Sequence, residues 1–285
     1  MKKSLLNYLA CPKCKGGLII DIIDRVKKNE IIEGSLRCNH CDLNFPIISG
    51  VPRMLYNTDE GVKKASIAFS NEWSEFDFEN DYDDTWPGLY QEKRLERFAT
   101  AFDVDLKDLK GKVILDAGCG NGRLAYNLSS KFGCEIVAMD LSSSVYNAFE
   151  NYKSKKLHYI QGDITKIPLK KESFDYIWSA GVIMCTPSTK KSFGSLVPLV
   201  KKGGILYVWV YGWPCNNGPY KCKAIWWLWK FLIKKPAFIQ KFFGYIYVYV
   251  AAISERMKGK KPFSLQVKQR KRILYDFLIP YMHQH

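Results

Sequence analysis

Two sets of residues in this 285-residue chain have the types and spacing to do chemistry. The first is Val113-Ile-Leu-Asp-Ala-Gly-Cys-Gly-Asn-Gly-Arg123, an apolar run that ends at Asp116 and gives way to glycines at alternate positions, Gly118, Gly120 and Gly122. Glycine allows a tight backbone turn and lets a ligand lie directly against the main chain. At the carboxyl end of a parallel strand, such a loop is where doubly wound sheets receive nucleotide-like ligands. A dinucleotide fingerprint would read Gly-x-Gly-x-x-Gly and seat a pyrophosphate on a helix N-terminus. Here the spacing is Gly-x-Gly-x-Gly behind a carboxylate, which repels phosphate and attracts a cationic amino group. The second set is Cys11-Pro-Lys-Cys14 and Cys38-Asn-His-Cys41. Two Cys-x-x-Cys pairs can surround a zinc ion with four thiolates and close a ribbon whose metal is structural, with no open coordination position. His40 is expected to face solvent, and Cys119, Cys134, Cys185, Cys215 and Cys222 show no ligand spacing.

Two later acids belong with the glycine loop. Asp140 closes the run Ile136-Val-Ala-Met-Asp140, twenty residues past Gly120, the distance at which a carboxylate grips a ribose diol. Gly162-Asp163-Ile164 follows the next apolar run; its Asp can accept from an exocyclic adenine amine while Ile164 packs on the ring. An adenosine with an amino-acid tail and no phosphates satisfies every position, which is S-adenosylmethionine. Asp116, Ala117, Gly118, Cys119, Gly120 and Gly122 are then expected around its methionine part. Asp140 and Leu141 fall at the ribose, and Asp163 and Ile164 at the adenine. Ser179 and Ala180 would line the floor where the methyl moves.

The elements that must position these residues are legible in the apolar periodicity. Short strand-like runs separated by turn residues fill 1–56. A linker of mixed polar and aromatic character is expected over 57–90. From residue 91 a helical pattern precedes strands at 113–115, 136–139, 158–160, 176–178 and 205–211, with helices at 124–132, 142–152 and 189–200 between them. That alternation implies a parallel sheet covered on both faces. The last strand is apolar throughout, which predicts burial on both sides. Residues 213–285 read as two apolar helices and a basic tail, although Tyr245-Ile-Tyr-Val-Tyr-Val250 suits a strand equally well.

Taken together, residues 93–212 resemble the class I S-adenosylmethionine-dependent methyltransferases. The resemblance is carried by Asp116 to Gly122, Asp140, Gly162 to Ile164, Phe174-Asp-Tyr-Ile-Trp-Ser-Ala-Gly-Val182 and Lys202-Gly-Gly-Ile-Leu-Tyr207. It implies in-line attack of an acceptor on a sulfonium methyl, with the protein mainly aligning the two. Many small-molecule members carry a His after the fourth strand; this chain has Val182-Ile-Met-Cys-Thr-Pro187 there, so no general base carries over, and Cys185 reads as a small core residue. The Asn-Pro-Pro-aromatic motif of exocyclic-amine methyltransferases is also missing. Residues 1–56, with the knuckles and Phe45-Pro-Ile-Ile-Ser-Gly-Val-Pro-Arg-Met-Leu55, look like the zinc-ribbon activator subunit of tRNA, rRNA and protein methyltransferases. The expected architecture is therefore α/β: a zinc ribbon (1–56), a linker (57–90), a Rossmann-like doubly wound methyltransferase core (91–212) and an apolar, basic helical cap (213–285). With the capping strand pair of that fold not found and an apolar-basic stretch still running at His285, the natural chain is expected to continue.

Composition is that of a folded globular protein and excludes a disordered or collagen-like chain: 47% of residues are apolar and 25% charged. The formal charge of +15 is concentrated at the end, where residues 220–285 carry 14 basic and 2 acidic side chains. An anionic membrane surface or RNA is the partner that this region would meet. Nine cysteines with two tight pairs indicate metal and free thiols in a reducing compartment, hence a cytoplasmic protein, peripheral at the membrane if the aromatic cap lies on lipid. The expected activity is methyl transfer to a bulky or lipid-like small molecule. The alternatives are an RNA base methyltransferase, and a non-catalytic activator or RNA-binding scaffold.

Overall fold

Strands and helices alternate through the chain, as the apolar spacing requires. The computed structural model describes residues 1–75 and 91–210, with six single positions between 231 and 246. The cap expected over 213–285 thus lies almost wholly outside the described residues. Met1–Val210 form one compact unit.

A short 3-10 turn, Lys3–Asn7, leads to strands β1 (Leu18–Lys27), β2 (Glu30–Cys38), β3 (Asn44–Ile48) and β4 (Val51–Pro52). They pair in sequence order as an antiparallel sheet, with bulges along β1. Helix α1 (Glu60–Glu75) occupies much of the stretch expected to be linker. Asp59 caps it, its Oδ1 accepting the Val62 N–H at 2.8 Å. Its inward stripe is Val62, Ala65, Ser66 and Ser70, spaced by three and four residues, and two of these four are serines. That polar content hid the helix from a reading based on hydrophobic periodicity.

Helix α2 (Gln91–Phe102) opens the second half, followed by β5 (Val113–Ala117), α3 (Arg123–Phe132), β6 (Glu135–Asp140), α4 (Ser144–Asn151), β7 (Leu157–Gln161), β8 (Phe174–Ala180), α5 (Thr189–Leu196) and β9 (Val200–Trp209). All five strands are parallel, in the order β7-β6-β5-β8-β9, the Rossmann-like arrangement expected. Residues at alternate positions along each strand face opposite sides. The cross-strand row Tyr159, Ala138, Asp116, Trp178, Tyr207 lies on the face covered by α2, α3 and α4, where Leu95, Phe98, Leu124, Leu128, Val145 and Phe149 fill the core. The neighbouring row Val137, Leu115, Ile177 faces the other side.

That other side carries α5, through Leu196, but among the described residues no second helix beside it. Between β7 and β8 the chain makes only a 3-10 turn, Ile164–Lys166, in place of a helix. The Cys-bearing module fills the space. Leu5, Leu9, Ile31, Leu36, Phe45, Ile47 and Met54, each at most 2% exposed, share one core with Leu115, Val137, Met139, Ile160 and Ile177. Each such side chain is worth roughly 1.5–3 kcal/mol of burial. The two modules also join through their backbones, for Arg53 bridges Gln161 in parallel and the Met54 N–H donates to the Gln161 carbonyl at 2.8 Å.

Strand β9 ends the sheet on the side of β8 among the described strands, and Ile205 and Trp209 are 41% and 38% exposed. The burial predicted for both its faces is therefore not met by the described residues. Among these residues no helix is long and apolar enough to cross a membrane.

Candidate functional site

The glycine loop connects β5 to α3 and is built as a fixed cradle. Gly118, Gly120 and Gly122 have φ of 95°, 54° and 73°, the left-handed region that side-chain-bearing residues avoid. The space their missing side chains leave is filled by protein. A Cβ on Gly118 would lie 2.2 Å from Val182 Cγ2, and one on Gly120 would lie 2.3 Å from Trp73 Cζ2. The loop is pinned from β6 as well: the Gly118 and Cys119 N–H groups both donate to the Met139 carbonyl, at 2.7 and 3.0 Å.

The carboxylates expected at the site come together around this loop. Asp116 is 4% exposed in the middle strand, flanked by Ala138 and Trp178. Burial pushes its carboxyl up to about 7, with the Arg94 charge opposing and Asp140 adding to the rise. Asp140 ends β6 and is only partly buried. Its Oδ2 accepts the Gly120 N–H at 2.8 Å, while Oδ1 accepts from Ser142 N–H at 2.9 Å and Ser142 Oγ at 2.7 Å. These bonds orient the acid and hold its pKa down against burial, which nonetheless raises it. Leu141 follows, its carbonyl accepting from Ser66 Oγ and from Gln161 Nε2.

Asp163 is 4% exposed after β7. Its Oδ1 accepts from Thr165 N–H and Thr165 Oγ1, both at 2.7 Å, whereas the buried Oδ2 has no hydrogen-bond partner. A buried carboxylate oxygen left open in this way is a binding position for an N–H donor. Ile164 beside it is 7% exposed. Ala117 and Cys119 are buried under the loop. Ser179 is fully buried with its Oγ donating to the Ala117 carbonyl at 3.1 Å, so it braces the loop from below; Ala180, one residue on, is partly exposed. Cys185 is partly exposed after β8.

Two residues near the loop escaped the sequence reading. Trp73 arrives from α1, and Arg94 from α2 sets its charge against Asp116. Asp59 as a cap, with Val62, Ala65 and Trp73 at helical spacing behind it, was the signal for the first. Nothing in the local sequence singles out Arg94.

The four cysteines of the N-terminal module converge. Their Sγ atoms all lie within 4.8 Å of one another, with Cys14–Cys38 at 3.4 Å and both Cys11–Cys41 and Cys14–Cys41 at 3.6 Å. Four Zn–S bonds of 2.3 Å directed tetrahedrally would place the sulfurs about 3.8 Å apart, so the donor set fits that ion. The Gly16 and His40 N–H groups point at Cys14 and Cys38 Sγ, both at 3.4 Å. His40 itself is exposed and takes no part in the cluster.

Comparison with known proteins agrees with both halves. Residues 115–208 match the family described as Methyltransferase domain, and residues 2–50 match the family described as Trm112p-like protein. The malonyl-[acyl-carrier protein] O-methyltransferase of Enterobacter lignolyticus is 31% identical over 121 residues, 42% of this chain and 47% of its own length. The sterol 24-C-methyltransferase of Schizosaccharomyces pombe is 28% identical over 107 residues, 35% of this chain and 28% of its own length. The match thus spans less than half the length of either relative. A solved complex of the Haloferax volcanii Trm112 methyltransferase activator with a candidate methyltransferase overlays 54% of this chain and 61% of that one, with 18% identity and a TM-score of 0.39. The chain joins a Trm112p-like domain, in its first fifty residues, to a methyltransferase domain behind it.

Proposed function

We propose that this protein is an S-adenosylmethionine-dependent methyltransferase acting on a bulky, lipid-like acceptor. The observation that carries the cofactor is the open, buried Oδ2 of Asp163, placed beyond a glycine loop that already holds Asp116 and Asp140. When bound, the cofactor supplies an electrophilic methyl group on a sulfonium. Asp116 offers a buried carboxylate to the ammonium of its methionine part, an interaction strong in a dry site. Asp140 uses three hydrogen bonds from its own chain and keeps acceptor capacity for ribose hydroxyls. Asp163 Oδ2 accepts from the adenine amine and Ile164 lies against the ring. The contribution of these residues is alignment and exclusion of water. No side chain is assigned as a general base.

Zinc on Cys11, Cys14, Cys38 and Cys41 is structural in this reading. It holds the two knuckles that carry Leu9, Leu36 and Phe45 into the shared core. The lipid-like acceptor is supported by the acyl-carrier and sterol substrates in the names of the two curated relatives and by the apolar, aromatic composition of residues 213–285. The cofactor assignment is tested by calorimetry. Asp140→Ala should weaken S-adenosylmethionine binding at least tenfold, and unchanged affinity would remove the assignment. Incubating the protein with labelled cofactor and a lipid extract should then yield a labelled lipid.

One observation favours RNA as a second acceptor class. Lys13, Lys15, Lys166, Lys170 and Lys171 gather along the seam between the first knuckle and the turn after β7. Lys13 and Lys166 each stand 6.0 Å from the Tyr56 ring, and the charge of Lys15 is disfavoured first by burial and then by Lys171. Among the described residues none of the five forms an ion pair. Lys15, Lys166 and Lys170 donate to main-chain carbonyls and so keep their charge uncancelled; an aromatic ring between such ammonium groups suits a phosphate backbone with a stacked base. Label transferred to an RNA fraction, with binding that weakens steeply with salt, would replace the lipid reading.

A further inference from the structure

Donor and product of a methyl transfer from S-adenosylmethionine differ only at the sulfur, which is methylated and positive before the reaction and, once the methyl has left, neutral. Both carry the same ammonium, ribose and adenine. Asp116, Asp140 and Asp163, assigned to those three groups, therefore hold donor and product by the same contacts. A group that prefers the charged sulfur must lie over the loop where the methionine part runs.

Trp73 lies over that loop. A Cβ on Gly120 would lie 2.3 Å from Cζ2 of its indole and 2.7 Å from both Cε2 and Cη2, so the six-membered ring sits directly on the loop's middle residue. The helix that carries it is fastened to the next loop of the site at two points. Ser66 Oγ donates to the Leu141 carbonyl at 3.0 Å, and the Ser143 N–H donates to Ser70 Oγ at 2.9 Å. Both anchors lie within three residues after Asp140, whose Oδ2 accepts the N–H of Gly120, the residue under the indole. Ser66, Ser70 and Trp73 lie on one stripe of α1, four and three residues apart, so fastening the serines fixes the ring. Val62 and Ala65 on the same side are 3% and 4% exposed and seat the first turns of the helix.

Resting on the methyl-donor reading, we propose that Trp73 is a positioning residue that reads the positive sulfur, offering its π-face to the sulfonium and so favouring donor over demethylated product. Tryptophan provides the strongest such face among the aromatic side chains, and the interaction grows when water is excluded. The preference it confers is roughly three- to thirtyfold in affinity.

The test is calorimetric affinity of the full chain, zinc-loaded, for S-adenosylmethionine and for S-adenosylhomocysteine, with Trp73→Phe and Trp73→Leu. Expected is a donor-to-product affinity ratio that falls about threefold in Trp73→Phe and about tenfold in Trp73→Leu, with product affinity nearly constant. Equal weakening of both ligands would mean that the ring only packs on the loop and would overturn the proposal, as would a ratio unchanged in both variants. Should the Leu variant not fold, the Trp-to-Phe step decides by itself. Ser70→Ala provides the contrast: loosening the helix without altering the ring should weaken both ligands alike. A wild-type protein that binds neither ligand would refute the donor reading itself, an outcome separate from any of these.

Discussion

Replacing Asp116 by asparagine should make the ligand-free protein more stable while abolishing its cofactor binding. The acid lies 4% exposed between Ala138 and Trp178, and burial lifts its carboxyl from 3.8 to about 7. Between those values the native state keeps a proton that the unfolded chain releases, so stability falls as pH rises, and the whole loss is present above about pH 7. Three pKa units at 1.36 kcal/mol each amount to about 4 kcal/mol at pH 8. Asparagine has the same shape and no such titration. Urea unfolding followed by circular dichroism, from pH 5 to pH 8, should show the variant gaining on the wild type by about 2.5 kcal/mol across that range, most of it below pH 7. A gap that stays constant with pH would refute the account, because a shape or hydrogen-bond effect does not titrate there. The same carboxylate must be ionised to hold an ammonium. Wild-type affinity for the cofactor should therefore decline as pH drops below 7, and the asparagine variant should show neither the affinity nor its pH dependence.

Removing metal should unfold both modules together, since Leu9, Leu36 and Phe45 share a core with Leu115 and Val137. A chelator is expected to lower the melting temperature of a single transition, and two separate transitions would contradict the shared core. Asp163→Asn keeps an oxygen for Thr165 but turns the open Oδ2 acceptor into an amide N–H donor, so adenosine affinity should drop at least tenfold with little change in melting temperature. Gly118→Ala combines a φ of 95° with a Cβ placed 2.2 Å from Val182 Cγ2 and should cost about 2 kcal/mol or more. Adding Val182→Ala should recover the steric part alone, which thermal unfolding of the double variant would show.

The methyltransferase half was legible in sequence because its signals are local. Short continuous apolar runs marked β5 to β8 to within two residues, and strand ends put Asp116, Asp140 and Asp163 at one edge of a parallel sheet whatever covers it. The Cys-x-x-Cys pairs likewise named their partners by spacing, and their sulfurs converge. Other features depend on residues far apart in the chain. The apolar positions of 1–56 announced that the module must bury something, but hydrophobic burial is non-directional. Only the folded chain shows that they cover the bare face left by the missing helix between β7 and β8, with Met54 hydrogen-bonded to Gln161. Helix α1 was hidden because its inward stripe includes serines that bond to Leu141 and Ser143, contacts whose partners lie more than seventy residues away. Trp73 over Gly120, Arg94 beside Asp116 and the lysines around Tyr56 follow from the same cause: local sequence sets which side of an element is apolar, while tertiary packing sets what that side meets.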